Sequence, residues 1–281
     1  MVPRLAVLRV MEMFMFVTRP VLLSTLFSIC LPLAIAQQPD RVKVAEGEYR
    51  VVTDQGDMGV GPIESEVFQF RESWTLWRLP SGEYEVDGDR TFESPRDYIR
   101  DNRFIVRLAA DRQILQVKEF AHLRYRPDSG PLTCELLPHE LQCHSGARDP
   151  AHAVDIQCAM DRPYGFLWPL SAFSLASLTR AAPKEIGRKA VVQVVQLDEV
   201  GDDLPVVTIR SDGMIRTLGP SEGLFDIVGK KYRANVYELT AGPIGKMTMW
   251  TSTEGLLLAA ETSGLIKRRM ELVRFTKFVD F

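Results

Sequence analysis

Four histidines occur in the chain, His122, His139, His144 and His152, and three of them lie near the cysteines Cys134, Cys143 and Cys158. Thiolate and imidazole are the usual zinc ligands, so Cys134, Cys143, His144 and His152 are conceivable as a zinc set. Their spacing matches no standard zinc pattern. His139-Glu140 begins like the metalloprotease motif His-Glu-x-x-His, but the position of its second histidine is occupied by Cys143. The chain has no Gly-x-Ser-x-Gly elbow, no Ser-x-x-Lys pair and no phosphate loop. A hydrolase would need a base beside a nucleophile, and no histidine here adjoins a recognisable serine elbow. The sequence therefore predicts no catalytic residue, no metal site and no cofactor.

Cys134 and Cys143 flank Leu137-Pro138-His139-Glu140, a plausible hairpin tip. In an oxidising compartment that arrangement predicts a disulfide between them. Cys158 is then left over, either buried as a small hydrophobe or paired in place of one of the two. Asp87-Gly88-Asp89, and Asp198-Glu199 with Asp202-Asp203, offer oxygen atoms to calcium, but neither completes a calcium-loop signature. They read as solvated turn acids.

The other chemistry on offer is apolar. No charged residue occurs from Gly165 to Thr179. Pro169 suits a first helical turn, Leu170, Phe173, Ser177 and Leu178 recur at helical spacing, and Pro183 ends the pattern, so a helix is predicted over Pro169–Arg180. A helix without a charged face is buried or lies in a groove. Phe166, Trp168, Leu170 and Phe173, with Met247, Met249 and Trp250, are the residues expected to line an apolar ligand site. Soft methionine side chains suit a deformable one.

The elements that must position this helix are strands. From Lys231 to Phe275 the chain reads as four, Lys231–Leu239, Lys246–Ser252, Leu256–Thr262 and Leu265–Phe275. They are separated by Gly242-Pro243, Glu254-Gly255 and Ser263-Gly264. Connections this short join antiparallel neighbours. Upstream, Gln37–Ala45 reads as a polar lead-in, Gly47–Thr53 as a strand, and Glu64–Phe70 and Ser73–Leu79 as two more. Arg90–Asn102 is charged and aperiodic and reads as a long loop. After the turn at Asp111-Arg112, Leu115, Val117, Ala121, Leu123 and Tyr125 are predicted to share the buried face of one long strand. Ala190–Leu197, Leu204–Arg210 and Met214–Leu218 follow, with Ser211-Asp212-Gly213 read as the turn between the last two.

At the start of the chain, Arg4, Arg9 and Arg19 precede the apolar run Val21–Leu33, which ends in Leu33-Ala34-Ile35-Ala36. This is the pattern of a secretory signal peptide over residues 1–36, cleaved after Ala36, leaving residues 37–281 as a single β-rich domain. No transmembrane segment is expected in the mature chain. Net charge is −3 with both signs mixed, which argues against a nucleic-acid partner. The expected location is periplasmic or extracellular.

The layout combines many short antiparallel strands, one apolar helix, a signal peptide, and a terminal hairpin with Met249-Trp250 followed by Gly255-Leu256. Together with Glu271-Leu272, it resembles the lipoprotein-carrier (LolA/LolB-like) superfamily. The resemblance implies a mostly antiparallel β fold: a curved, many-stranded half-barrel sheet with the helix against its concave face and lipid chains held between them. The inserted Cys134–Cys143 hairpin and the extra length depart from that family's pattern. The expected function is non-enzymatic binding of a lipid or other apolar small molecule. The alternative is an envelope scaffold acting on envelope proteins through an exposed strand edge, without a ligand cavity.

Overall fold

Strict alternation builds the first half of the sheet. In β1 (Val42–Gln55), Gly47, Tyr49 and Val51 point inward. In β2 (Val67–Arg78), Phe70, Glu72, Trp74 and Leu76 do so, and in β3 (Tyr84–Phe92), Val86, Gly88 and Arg90. β4 (Ile99–Leu108) contributes Phe104, Val106 and Leu108. A period of two with one face buried is the signature of a sheet that covers a core on one side. The computed structural model describes residues 41–55, 67–92, 99–123, 132–137, 139–145, 155–160, 164–166, 172–198, 206–241, 245–263 and 266–280. The expected signal peptide lies outside these residues, and Gln38–Phe281 is one compact unit.

The chain continues through β5 (Ile114–Leu123), β6 (Leu132–Leu137), β7 (Glu140–Ser145) and β8 (Asp155–Ala159), each pairing antiparallel with the strand before it. It then forms β9 (Tyr164–Phe166), the helix α1 (Ala172–Thr179), β10 (Lys189–Asp198) and β11 (Val206–Pro220). β12 (Phe225–Ile227) and β13 (Lys230–Tyr232) make a separate two-stranded hairpin. β14 (Ala234–Ala241), β15 (Gly245–Ser252), β16 (Leu257–Ser263) and β17 (Ile266–Lys277) close the chain as a meander. Among the described residues one sheet holds fifteen strands in the order β8-β7-β6-β5-β4-β3-β2-β1-β17-β16-β15-β14-β11-β10-β9. It ends at β8 and β9 and so does not close. Every neighbouring pair is antiparallel except β9 and β10, which run parallel and need α1 as their crossover.

The helix shows how strongly the sheet curls. β2 lies eight places from β9 in the sheet order, so on a flat sheet the two would be roughly 38 Å apart. An eight-residue helix is only about 12 Å long. Yet α1, which follows β9, donates its Ala172 N–H to Glu72 and packs Phe173 on Trp74, both in β2. The sheet therefore wraps around the helix. A second tie confirms the curl: Arg112 in the β4–β5 turn donates through Nη1 to the carbonyl oxygen of Glu254 in the β15–β16 turn, at 2.6 Å.

One cross-strand row makes room for this curvature. Phe275, Gly47, Trp74, Gly88 and Phe104 are direct neighbours across β17, β1, β2, β3 and β4. Aromatic and glycine alternate. A Cβ on Gly47 would lie 2.5 Å from the Trp74 ring and 2.8 Å from the Arg274 carbonyl oxygen, and one on Gly88 would overlap the Phe104 ring. The rings thus lie over bare backbone on the inner side, where a bent sheet has least space.

Several expectations are corrected by the sheet. Gln37–Ala45 is not all lead-in: β1 begins at Val42, and Val44 and Ala45 are buried across an irregularity in its pairing with β2. The two strands expected over Glu64–Leu79 are one, β2, which runs through Arg71-Glu72 because Glu72 is buried and paired. For the same reason Arg90–Asn102 is not one long loop: β3 extends to Phe92 and β4 starts at Ile99. Ser211-Asp212-Gly213 is not a turn but an irregular stretch within β11, where Val192 pairs with Gly213 and Val194 with Arg210. In β5 the register slips beside Leu115, so Ile114 and Val117 are buried and Leu115 is only half-buried. The strand expected over Lys231–Leu239 divides into β13 and β14. Asp87-Gly88-Asp89 lies within β3, and Asp87 binds Arg103 of β4 through two hydrogen bonds of 3.0 Å.

The hairpin read from the cysteine spacing is present as β6–β7. Cys134 and Cys143 are direct cross-strand partners with their sulfurs at bonding distance, 2.13 Å. Cys158, opposite Leu141 on β8, is not in a disulfide. Closing a loop with a separation of nine residues contributes about 2–3 kcal/mol through the unfolded chain. The C134S/C143S variant is expected to lose that much in urea denaturation, and non-reducing peptide mapping of the parent should recover the 134–143 link with Cys158 alkylated. A Cys158 linkage would contradict the pairing.

Candidate functional site

The site is built around α1. Its buried residues are Ala172, Ser174, Leu175, Leu178 and Thr179, and Phe173 and Ala176 are partly buried against the same core. No acidic or basic residue occurs within it. An eight-residue helix has little stability of its own, and this one is held by contacts with the concave face. At its first turn, where backbone N–H groups have no partner inside the helix, the Ala172 N–H donates to Glu72 Oε1 at 3.1 Å. The other carboxylate oxygen of Glu72 accepts from Arg90 Nε at 3.1 Å.

This polar pair is inside the protein: the Glu72 side chain is 0% exposed and that of Arg90 6%. Burial raises the Glu72 pKa above the usual glutamate value, while the Arg90 charge, the Ala172 N–H and the Arg90 hydrogen bond oppose the rise. The Arg90 guanidinium also lies over the Phe104 ring, 4.9 Å from its centre. Tyr49 beside them is fully buried and donates its hydroxyl to the Leu257 carbonyl oxygen at 2.8 Å. Burial, and then the Glu72 charge, push its pKa well up.

Beyond this anchor a narrow cleft runs between helix and sheet. Its floor includes Tyr49, Trp74, Leu76, Leu108 and Leu257, and Ala172, Phe173 and Ala176 cover it. Phe173 meets Trp74 edge to face with ring centres 4.8 Å apart. Trp74 is 3% exposed, and its indole N–H has no hydrogen-bond partner among the described residues. Arg112 and Arg180 line the same cleft. The free space in it is ≈ 40 Å³, far below the ~300 Å³ or more of a site that encloses a small organic ligand. As it stands the cleft has no room for such a ligand.

The residues expected to line an apolar site are dispersed. Phe173 is in the cleft. Trp168 and Leu170 lie outside the described residues, and Phe166 is in β9, where it pairs with Val195. Met247 and Met249 are buried on the concave side of β15 but do not line the cleft. Trp250 is on the opposite face of that strand. It packs near Phe225, 6.3 Å between ring centres, in a shallow cleft with Leu218, Leu224 and Val236. Sequence reasoning missed Tyr49, Glu72, Arg90, Arg112 and Arg180. A signal for two existed: Glu72 has the parity of Phe70, Trp74 and Leu76, and Arg90 that of Val86 and Gly88. Among the described residues no group of three histidine, cysteine or acidic side chains is placed to hold a metal, and no helix is long and apolar enough to cross a membrane.

No protein-family model matches the chain, and no curated protein matches it significantly. Among solved structures it is similar to a beta-barrel-like protein, a domain of unknown function (DUF1849) from Brucella abortus. The TM-score is 0.50 and the identity 11%, covering 85% of this chain and 99% of that one. At that identity the likeness concerns the fold, a large curved antiparallel sheet of barrel-like form.

Proposed function

We propose that this protein binds a lipid or another apolar molecule between α1 and the concave face of its sheet, outside the cytoplasm, and that it catalyses no reaction. The observation that carries this reading is the uncharged helix lying over an apolar cleft, with Phe173 on Trp74 as the contact a ligand would replace. An acyl chain entering there exchanges one set of apolar contacts for another, at little net cost in buried area. The resemblance to lipoprotein carriers and the signal-peptide pattern of residues 1–36 support both the ligand class and the location. The second reading, envelope assembly by strand addition, rests on β8, which pairs on one side only among the described residues. At five residues it is a short template.

Phe173→Ala tests the reading. A fixed core phenylalanine costs about 3–5 kcal/mol when truncated. A helix that lifts should settle around the gap, so the expected loss is under about 3 kcal/mol, with altered retention of a fluorescent fatty acyl probe. A loss in the full range, together with no probe binding by the parent protein, would make α1 a packed core helix and remove the proposal.

A further inference from the structure

The β12–β13 hairpin is anchored on one side and bare on the other. Ile227 is buried, Phe225 stands 6.3 Å from Trp250, and Tyr232 stands 6.3 Å from Phe275 between ring centres. At its base the Ser221 N–H donates to the Ala234 carbonyl oxygen at 2.8 Å. The hairpin is therefore fixed to the large sheet, and its tip is held in a set place.

The tip is made of an unexpected residue. Between the paired Ile227 and Lys230, Val228 and Gly229 both take the left-handed conformation, φ 51° and 77°. A two-residue hairpin loop with both φ positive is a type I′ connection, which favours Asn-Gly or Asp-Gly. A β-branched residue in that region is strained. Valine nevertheless occupies it, and at 78% exposure it is the barest large apolar side chain among the described residues. Leu224, where the hairpin begins, is 54% exposed, and it lines a shallow outer cleft with the exposed Leu218. Turn chemistry does not call for an apolar side chain at the tip, and core packing does not use it.

Cations flank these side chains. From Gly223 to Arg233 the chain carries Lys230, Lys231 and Arg233 against Asp226 alone, in a protein whose net charge is −3. All three cations are exposed. Asp226 stands opposite Lys231, and its Oδ1 accepts the Gly229 N–H of the turn at 2.8 Å. Lys230 lies over the Tyr232 ring, 5.5 Å from its centre. On the adjoining strands Arg216 and Lys246 both pair with Glu238, whereas Lys231 and Arg233 form no ion pair among the described residues.

The geometry points to docking of this hairpin on an anionic lipid surface, with Val228 entering the headgroup layer and Lys230, Lys231 and Arg233 against the phosphates. A few protruding apolar side chains fall short of the ~800 Å² per partner of a stable protein interface. A bilayer takes such side chains singly, and basic residues beside them add attraction to anionic lipid. The hairpin shares no residue with the cleft under α1, and the inference stands apart from the reading of that cleft.

Vesicle flotation of the purified protein tests it. Vesicles of phosphatidylglycerol mixed with phosphatidylcholine should carry the protein upward, phosphatidylcholine alone should not, and raising salt from about 0.1 M to about 1 M should release it. Replacing Lys230 and Lys231 together with glutamine should weaken binding by roughly fivefold for each charge removed. Val228→Asn is the sharper variant. Asparagine suits the left-handed turn, so the protein should melt at or above the parent temperature, yet vesicle affinity should fall about tenfold. No flotation with phosphatidylglycerol, or equal flotation with both vesicles and no salt effect, overturns the proposal. So does parent-like affinity of a folded Val228→Asn variant. A dimer in sedimentation velocity that Val228→Asn dissolves would assign the tip to a second copy of the chain and likewise overturn it. The lipid and salt comparisons use the parent alone, so they decide the matter even if a variant fails to fold.

Discussion

Replacing Glu72 with alanine is expected to destabilise the protein by about 3–5 kcal/mol in urea or thermal unfolding. The carboxylate meets two needs at once: it neutralises Arg90 in the interior and accepts the first N–H of α1. Removing it takes the Glu72 charge away from a buried guanidinium, and loss of one partner is the costly half of breaking an internal ion pair. The double variant Glu72→Met with Arg90→Met removes both charges and should regain most of the loss, since an apolar pair of similar volume has no desolvation cost. A single-variant loss under about 1 kcal/mol would put the pair on a level with exposed ion pairs and would refute the role assigned to it. The pH dependence has a definite sign. Because burial raises the Glu72 pKa above its unfolded value, the folded state holds the proton more tightly over the interval between the two values. The stability contributed by the protonated form is complete below the unfolded pKa and is lost as pH rises through the folded one. Glu72→Gln should remove that slope.

Trp74→Ala is the second large effect, about 3–5 kcal/mol. The indole is the centre of the aromatic and glycine row: it lies over Gly47 and stands 6.1 Å from Phe275, 6.3 Å from Tyr49 and 4.8 Å from Phe173 between ring centres. Neither neighbouring glycine has a side chain that could move into the space. Trp74→Phe should cost much less, because it keeps a ring at that position and discards an indole N–H that has no partner among the described residues. Calorimetry of the two variants checks the order. Equal losses would mean that a phenyl ring cannot stand in for the indole at this position.

What was legible in the sequence follows from what turn residues and charge can reveal. β15, β16 and β17 were readable because Glu254-Gly255 and Ser263-Gly264 interrupt clean alternation. α1 was readable because a charge-free stretch at helical spacing has no face suited to water. Arg71-Glu72 and the start of Arg90–Asn102 were misread because a charged residue inside a strand mimics a break. Only the partner across the sheet shows that it is paired, and pairing is a tertiary fact. Ser211-Asp212-Gly213 failed for a related reason, since the same residues serve a turn and an irregularity within a strand. Arg112 and Arg180 could not be placed beside one cleft on sequence alone, because that depends on a sheet that curls until the ends of distant strands approach.

That sheet order also sets a timetable. β1 pairs with β2 on one side and with the last strand, β17, on the other, and the Tyr49 hydroxyl reaches the Leu257 carbonyl across 208 residues of chain. At synthesis rates of about 5–20 residues per second, roughly 10–40 s separate the appearance of β1 from that of its second partner. Throughout that interval a fourteen-residue strand presents an unpaired edge, the kind of surface that recruits foreign strands. Native closure is therefore a late, long-range event of the slow class, and the nascent chain depends on whatever keeps its first strand apart from its neighbours until the last one arrives.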